Sequence, residues 1–524
     1  MVDLRTKTAD NSDTPTTPAI DWSQDVQTSA MSKVAALMTV LLLSNGAWIS
    51  NAQGDLEARV ASLLKKSSLG STEVGISIRD LTTGEEVVGI DEIKPMIPAS
   101  NMKLFTSGAA LHVLGEDFHF HTSLILDADT LWVVGGGDPA LGDPLLLEQM
   151  EWDIDGLLDQ IVLAVKDSDV QTLSSVVVDD RIFDRNAVHP DWPKDQLDKR
   201  YCAEVAGLNF GLNVVHIKAA PSKSGGTPVI TSMMPNLPWI LPKNEMHSKR
   251  QKNAVTRIGI KRVPGSNRLT VYGRILSPIG ADVTISDVPD VFARLLKLRL
   301  EAAGIEVGSF RLAEGEAPSP RPDGVTVREL LRIKTSLATA LERCNTNSQN
   351  LYAESMLKRM GHENELAPGS WANGSRAVRM VVIDRLGPEH ADGIRQSDGS
   401  GMSRKNTVTA ETVTAWLTSF AQDEALGTTF IESLADPQKS GTLKSRFNDL
   451  PSDIKFACKT GYINGVSCLS GLVSNSSGRG YAFSVLCNEI PSNVPIRSAK
   501  KLQESVVDLL VDQLEVPQSA LNRP

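Results

Sequence analysis

The chain lacks any excess of basic charge. Its 53 Lys and Arg face 63 Asp and Glu, for a formal net charge of −10, with a pI near 5.4. Such a balance argues against a nucleic-acid partner, which needs a cationic surface to meet a phosphate backbone. Cysteine is scarce as well. The five (Cys202, Cys344, Cys458, Cys468 and Cys487) are too few for a disulfide scaffold, and their spacing matches no zinc site. Their odd number leaves at least one unpaired within the chain; a Cys458–Cys468 bridge stays open as an alternative. His119-Phe-His121 offers two imidazoles on one strand face with no third ligand in view, so no metal is expected, and no cofactor. Gly-x-Ser-x-Gly is missing, which argues against an α/β-hydrolase elbow. Gly135-Gly-Gly-Asp138 lacks the Gly-Lys-Ser/Thr ending of a phosphate loop and reads as a tight turn. The apolar run Val34–Leu43 is also too short for a bilayer span, which takes about 20 residues.

That short run has another reading. Residues 1–30 are polar and expected to be disordered. Met31-Ser-Lys33 then precedes the run, and Ser50-Asn51-Ala52 follows it. This is the order of a secretory signal over residues 31–52, with translation starting at Met31 and cleavage after Ala52. Export to the periplasm or cell envelope is expected. The alternative is an uncleaved anchor with a short cytoplasmic tail; peripheral association with the membrane is a separate expectation.

Beyond it, an amphipathic pattern predicts a helix over 55–66, and alternation predicts a hairpin over 74–80 and 86–90. A helix from Ser100 to Gly115 follows, then strands near 119–126 and 130–134, a helix at 154–166 and a strand at 175–179. Residues 221–254 show no period and read as an irregular subdomain. Strands near 257–261 and 268–273 and a helix at 291–303 complete the middle. Ala317–Gly324 reads as a linker. Helical character is expected over 327–334, 336–344 and 351–360. Three antiparallel strands, 455–463, 467–474 and 481–488, precede a helix over 495–514.

Ser-x-x-Lys occurs five times, beginning at Ser62, Ser100, Ser355, Ser452 and Ser498. On a helix that spacing puts hydroxyl and amine on one face, which for most surface pairs means nothing. Two unique motifs select among them. Ser-x-Asn occurs once, at Ser348-Gln349-Asn350, between two helices. Lys-Thr-Gly occurs once, at Lys459-Thr460-Gly461, in a predicted edge strand. Ser100-x-x-Lys103 is the pair in the right order before both. The ordered trio is the signature of penicillin-recognising serine enzymes.

With these motifs the chain closely resembles the class C low-molecular-mass penicillin-binding proteins, serine D-alanyl-D-alanine carboxypeptidases/endopeptidases. The resemblance runs from about residue 55 to the end. It includes Pro98–Thr106, Gly135–Pro139, Ser348–Glu354, Asp398–Arg404, Gly441–Phe447 and Val466–Gly471. It implies an α/β (α+β) fold: a transpeptidase-like domain, an antiparallel sheet between helical layers. That domain would be split into 53–121 and 323–524 around inserted, partly β-rich domains over 122–322. It further implies peptidoglycan stem peptides as substrate and β-lactams as inhibitors.

The resemblance also carries roles onto residues. Ser100 is the nucleophile, Lys103 its base, and Ser348 a relay to the leaving amine. Asn350 holds the substrate amide. Lys459 keeps Lys103 neutral by repulsion and, with Thr460 and Gly461, receives the terminal carboxylate. The backbone N–H groups of Ser100 and Tyr462 form the oxyanion hole. Tyr462 stands where the family often has Thr or Ser, so the pocket beside it would be narrower. Arg404 and Asp195 would meet a zwitterionic stem-peptide side chain; for Asp195 a surface turn or salt bridge is the alternative. Two rival readings remain. One is a serine β-lactamase, for which Glu204-Val-Ala-Gly-Leu-Asn209 superficially resembles the deacylating segment. The other is a non-catalytic penicillin sensor or wall-binding protein.

Overall fold

The computed structural model describes residues 19–21, 46–223, 226–249, 253–314, 327–438 and 441–515. The apolar core of the expected signal (34–43), the linker 317–324 and most of the expected disordered extension lie outside the described residues. Of that extension, Ala19–Asp21 form a short strand, so the expectation of disorder fails for these three. Among the described residues no helix is long and apolar enough to cross a membrane.

The first helix, α1 (Gly46–Lys66), starts nine residues before the expected helix and runs through the expected cleavage point at Ala52. The hairpin follows as β1 (Glu73–Asp80) and β2 (Glu86–Ile90). Side chains alternate along β1. Val74, Ile76 and Ile78 enter one core cluster, while Ser77 places its hydroxyl 2.7 Å from Thr414 Oγ1 on the other face. A single 3₁₀ turn, Ala99–Asn101, leads into α2 (Met102–Leu114). Every residue of α2 from Met102 to Leu111 is buried, the polar Lys103, Thr106 and Ser107 included, which places this helix at the centre of the fold.

The middle of the chain builds a second sheet. β3 (His119–Asp127), β4 (Thr130–Gly135), β5 (Thr172–Asp179), β6 (Glu306–Leu312) and β7 (Val327–Ser336) stand in the order β7-β3-β4-β5-β6, with Ala19–Asp21 parallel to β7 at the edge. β3 and β7 are antiparallel neighbours, and His119 lies opposite Ser336. The expected boundary between 121 and 122 falls within β3, which spans His119–Asp127. Two three-stranded sheets fill part of residues 122–322.

Two expectations are corrected here. Residues 327–334 are strand, not helix. The Leu330-Leu331 doublet imitates helical spacing, but it arises from a β-bulge between Glu329 and Leu331, after which Leu331, Ile333 and Thr335 are buried at every second residue. Residues 221–254 are not wholly irregular, since Val229–Met234 and Lys243–His247 are strands. Met246 is the one fully buried residue in the two, so no hydrophobic period could appear.

After β7 come α3 (Leu337–Asn345), α4 (Asn350–Glu365), α5 (Trp371–Leu386) and α6 (Ala410–Ala421). β8 (Ile454–Ile463), β9 (Val466–Asn475) and β10 (Gly480–Asn488) then join the hairpin in the antiparallel order β8-β9-β10-β1-β2. The last helix, α7 (Ile496–Glu515), lays Leu502, Val506 and Leu510 against one face of this sheet beside α1. The other face meets α6 and the Ser100 turn. The five-stranded sheet is thus held between two helical layers. All five cysteines are buried and free. Cys458 and Cys468 belong to the cores on opposite faces and pair with Gly471 and Gly461, which rules out a bridge between them.

Candidate active site

Ser100 sits half-buried in the 3₁₀ turn, and Lys103 follows one turn later on α2. Lys103 is fully buried. Its Nζ lies 3.1 Å from Ser100 Oγ, 2.8 Å from Asn350 Oδ1 and 2.8 Å from the Ser400 carbonyl oxygen. Burial pushes its pKa down, because the charged form loses its hydration; the Cys344, Glu354 and Asp398 side chains act in the opposite sense.

The Ser348 segment joins α3 to α4 with Ser348 at φ 56°, an uncommon left-handed conformation for a residue with a side chain. Lys459 Nζ donates to Ser348 Oγ at 3.0 Å and to the Thr460 carbonyl at 3.1 Å. The Lys459 pKa is lowered to about 7, first by burial and then by repulsion from Lys103. The two ends of the Asn350 amide are both engaged, Oδ1 with Lys103 and Nδ2 with the Tyr201 carbonyl at 2.7 Å. The structure therefore brings the five together as two hydrogen-bonded sets, Ser100–Lys103–Asn350 and Ser348–Lys459, whose two lysines are near enough to repel each other. Asn347 and Gln349, which flank Ser348, line a separate cavity of about 860 Å³ that does not include the lysines.

β8 is an edge strand, as expected. Cys458 exchanges both backbone hydrogen bonds with Ala435 on its outer side. Backbone groups alternate sides along a strand. The N–H groups of Thr460 and Tyr462 consequently point outward too, along the edge that faces the Ser100 turn. Gly461 brings this edge close, since a Cβ there would lie 2.5 Å from the Pro98 carbonyl oxygen. The third residue of Lys-Thr-Gly is thus set by backbone approach. The Tyr462 side chain is 60% exposed.

Glu354 and Asp398 were not singled out from the sequence. Both are fully buried around the loop Ser397–Arg404. Glu354 accepts from the N–H of Ser400 (2.8 Å), that of Gly399 (2.9 Å) and Trp371 Nε1 (2.8 Å). Asp398 accepts from the N–H of Gly401 and Ser403, from Asn406 Nδ2, and from Trp192 Nε1 at 2.8 Å. A signal existed for Glu354, because it stands four residues after Asn350, on the same helix face. None existed for Trp192, which reaches Asp398 from far away in the chain.

Arg404 is exposed and donates to the Asn464 carbonyl at 2.8 Å, in the turn that follows Lys-Thr-Gly. Asp195 is exposed on the turn Lys194–Gln196, and no ion pair joins it to Arg404 among the described residues. Glu204 does not resemble a deacylating base in its surroundings. Its carboxylate accepts from Ser286 Oγ at 2.7 Å and the Asp287 N–H at 2.8 Å.

Residues 56–509 match the D-Ala-D-Ala carboxypeptidase 3 (S13) family. The chain belongs to that family. It is a class C low-molecular-mass penicillin-binding protein, a hydrolase of the serine-type D-Ala-D-Ala carboxypeptidases. It is 29% identical over 510 residues to a D-alanyl-D-alanine carboxypeptidase of Actinomadura sp. (strain R39), covering 88% of each chain. It is 24% identical over 473 residues to penicillin-sensitive carboxypeptidase A of Dictyostelium discoideum, covering 84% of this chain and 89% of the relative. The crystal structure of penicillin-binding protein 4 (dacB) from Haemophilus influenzae superposes with a TM-score of 0.70 at 20% identity. It covers 86% of this chain and 99% of that one. At that identity the likeness establishes the fold.

Proposed function

We propose that this S13 enzyme cleaves the terminal D-Ala-D-Ala bond of peptidoglycan stem peptides through an acyl-enzyme on Ser100. One observation carries the reading: a buried Lys103 amine stands within hydrogen-bond reach of Ser100 Oγ, with burial favouring its neutral form. Neutral Lys103 takes the Ser100 proton as Oγ attacks the carbonyl carbon of the penultimate D-Ala. The N–H groups of Ser100 and Tyr462 receive the oxyanion. Ser348, bonded to Lys459, donates its proton to the departing amine and takes the one held by Lys103 in its place, so the terminal D-Ala leaves as a free amine and Lys103 is again neutral. Water then attacks the ester carbonyl and frees Ser100. Lys459 and Thr460 bind the terminal carboxylate, while Arg404 and Asp195 lie at the rim for the stem-peptide side chain.

Penicillin enters the same path and stops as a long-lived ester, since Glu204, the residue whose segment resembles that of a class A lactamase, is held by Ser286 and Asp287 rather than free to activate water. Export to the cell envelope, where such peptides lie, belongs to the same proposal, as does the division of the catalytic domain into 53–121 and 323–524.

The test is direct. A peptide ending in D-Ala-D-Ala should lose one D-alanine, and penicillin should add its mass to the peptide containing Ser100. Absence of both would sink the reading. A cross-linked dimer offered to the same enzyme measures endopeptidase against carboxypeptidase activity.

A pH dependence follows from Lys459. Its ammonium must be present to hold the substrate carboxylate, and with a pKa of about 7 the free enzyme loses that charge as pH rises. KM is expected to climb above neutrality while kcat changes less. A KM that stays flat across about pH 6–9 would remove Lys459 from carboxylate binding.

A further inference from the structure

A neutral lysine amine has two N–H donors and one lone pair, so whatever accepts the two protons decides where the lone pair points. At Lys103 the three neighbours of Nζ are Asn350 Oδ1, the Ser400 carbonyl oxygen and Ser100 Oγ. The first two can only accept. Once both are served, the lone pair faces the Ser100 hydroxyl. Asn350 is fixed by its second bond to Tyr201. The Ser400 carbonyl sits on a loop, and loops hold position only when something ties their backbone.

The tie is Glu354. One carboxylate oxygen takes the Ser400 N–H and the other takes the Gly399 N–H, with Trp371 Nε1 closing the second oxygen. Burial, and then repulsion from Asp398, push the Glu354 pKa up to about 7, so above neutrality these are charge-assisted bonds in a dry site, shorter and stronger than neutral ones. We propose that Glu354 is a positioning residue that aims the Lys103 lone pair at Ser100 by clamping the backbone of Gly399 and Ser400.

Glu354 lies on α4 four residues after Asn350, so one helix face sets two of the three directions around Nζ. No hydrogen bond or ion pair joins the carboxylate to Lys103 Nζ among the described residues. The groups that bear on the charge of Lys103 are Lys459 from β8, Cys344 from α3, Glu354 from α4 and Asp398 from the loop.

The inference rests on Lys103 being the base, and the experiment separates the two. Glu354→Gln keeps the shape but offers one backbone N–H an amide nitrogen instead of an oxygen. The penicillin acylation rate constant and the kcat for D-alanine release are both expected to fall about tenfold or more, with KM changed by no more than about twofold. Because Glu354 itself is raised to about 7, its charge favours the Lys103 ammonium above neutrality, and losing that charge should move the part of the acidic limb of the kcat profile that lies above about pH 7 to lower pH. Glu354→Asp retains the charge but withdraws it from the loop. It should slow acylation without moving that limb, and it serves if Glu354→Gln does not fold.

Wild-type acylation in a folded Glu354→Gln or Glu354→Asp overturns the proposal. So does a slower Glu354→Gln enzyme whose acidic limb has not moved. Lys103→Ala is the control for the underlying reading. If it acylates normally, Lys103 is not the base and the whole site must be reassigned; if it is dead while the Glu354 variants match wild type, only the positioning role fails.

Discussion

Ser100→Ala is expected to abolish the covalent penicillin adduct and to reduce D-alanine release by roughly 10⁴- to 10⁶-fold. The size follows from what remains. The variant keeps the oxyanion donors, the two lysines and the carboxylate site, so it still binds the peptide, but no atom is left to form the ester. Hydrolysis would then need water to enter a site built to hold a hydroxyl at the head of α2. The fold should scarcely notice. Ser100 is half-buried, and its side-chain hydrogen bond is the one from Lys103 Nζ, which keeps two other acceptors. A loss within about 1 kcal/mol of unfolding stability is expected, as for other substitutions that leave no buried group without a partner. The measurements are intact mass after incubation with penicillin and D-alanine release from the peptide. An adduct of wild-type stoichiometry in the variant would show that another nucleophile carries the reaction.

How much of this could be read from the residues depended on whether the cause lay close in sequence. Ser100 and Lys103 were legible because three residues on a helix suffice to make them neighbours. Lys459-Thr-Gly461 was legible as an edge strand from the Asn464-Gly465 turn and the alternation around it. The pairing of β8 with β9 through that turn agrees. By contrast, Leu330-Leu331 in β7 looked helical because a bulge shifts the alternation by one residue, and a bulge depends on the partner strand β3. Trp192 and Asp398 are 206 residues apart and meet through an indole N–H to carboxylate bond that no local pattern encodes. Glu354 stood in between. Its spacing from Asn350 placed it on the right face, but its role depends on a loop that arrives from further along the chain.

The same distinction explains why the glycine of Asp398-Gly-Ser-Gly401 matters more than its exposed relatives. Gly401 has φ +85°, and a Cβ there would stand 1.7 Å from the Ala99 carbonyl oxygen and 3.1 Å from the Ser100 nitrogen. Neither atom can yield cheaply. Ala99 is itself held at φ 46° and is fully buried, and it opens the turn that presents Ser100. Gly401 is in turn anchored by its N–H to Asp398. Gly401→Ala is therefore expected to cost about 3–5 kcal/mol of stability. In whatever fraction folds, acylation should slow by about a hundredfold, since a shift of the Ser100 turn by about 1 Å misplaces the nucleophile against its base and oxyanion donors.

Gly478 provides the comparison. Its φ is +86°, yet a Cβ there would meet nothing within 4 Å. Gly478→Ala should show only the intrinsic left-handed penalty of about 1–2 kcal/mol and acylate at the wild-type rate. Urea unfolding and penicillin acylation of the two variants side by side separate crowding from backbone strain. Equal losses in both would mean that strain alone sets the requirement for glycine. A larger loss at Gly401, together with slow acylation, would mean that this residue is glycine because Ser100 is carried by the backbone pressed against it.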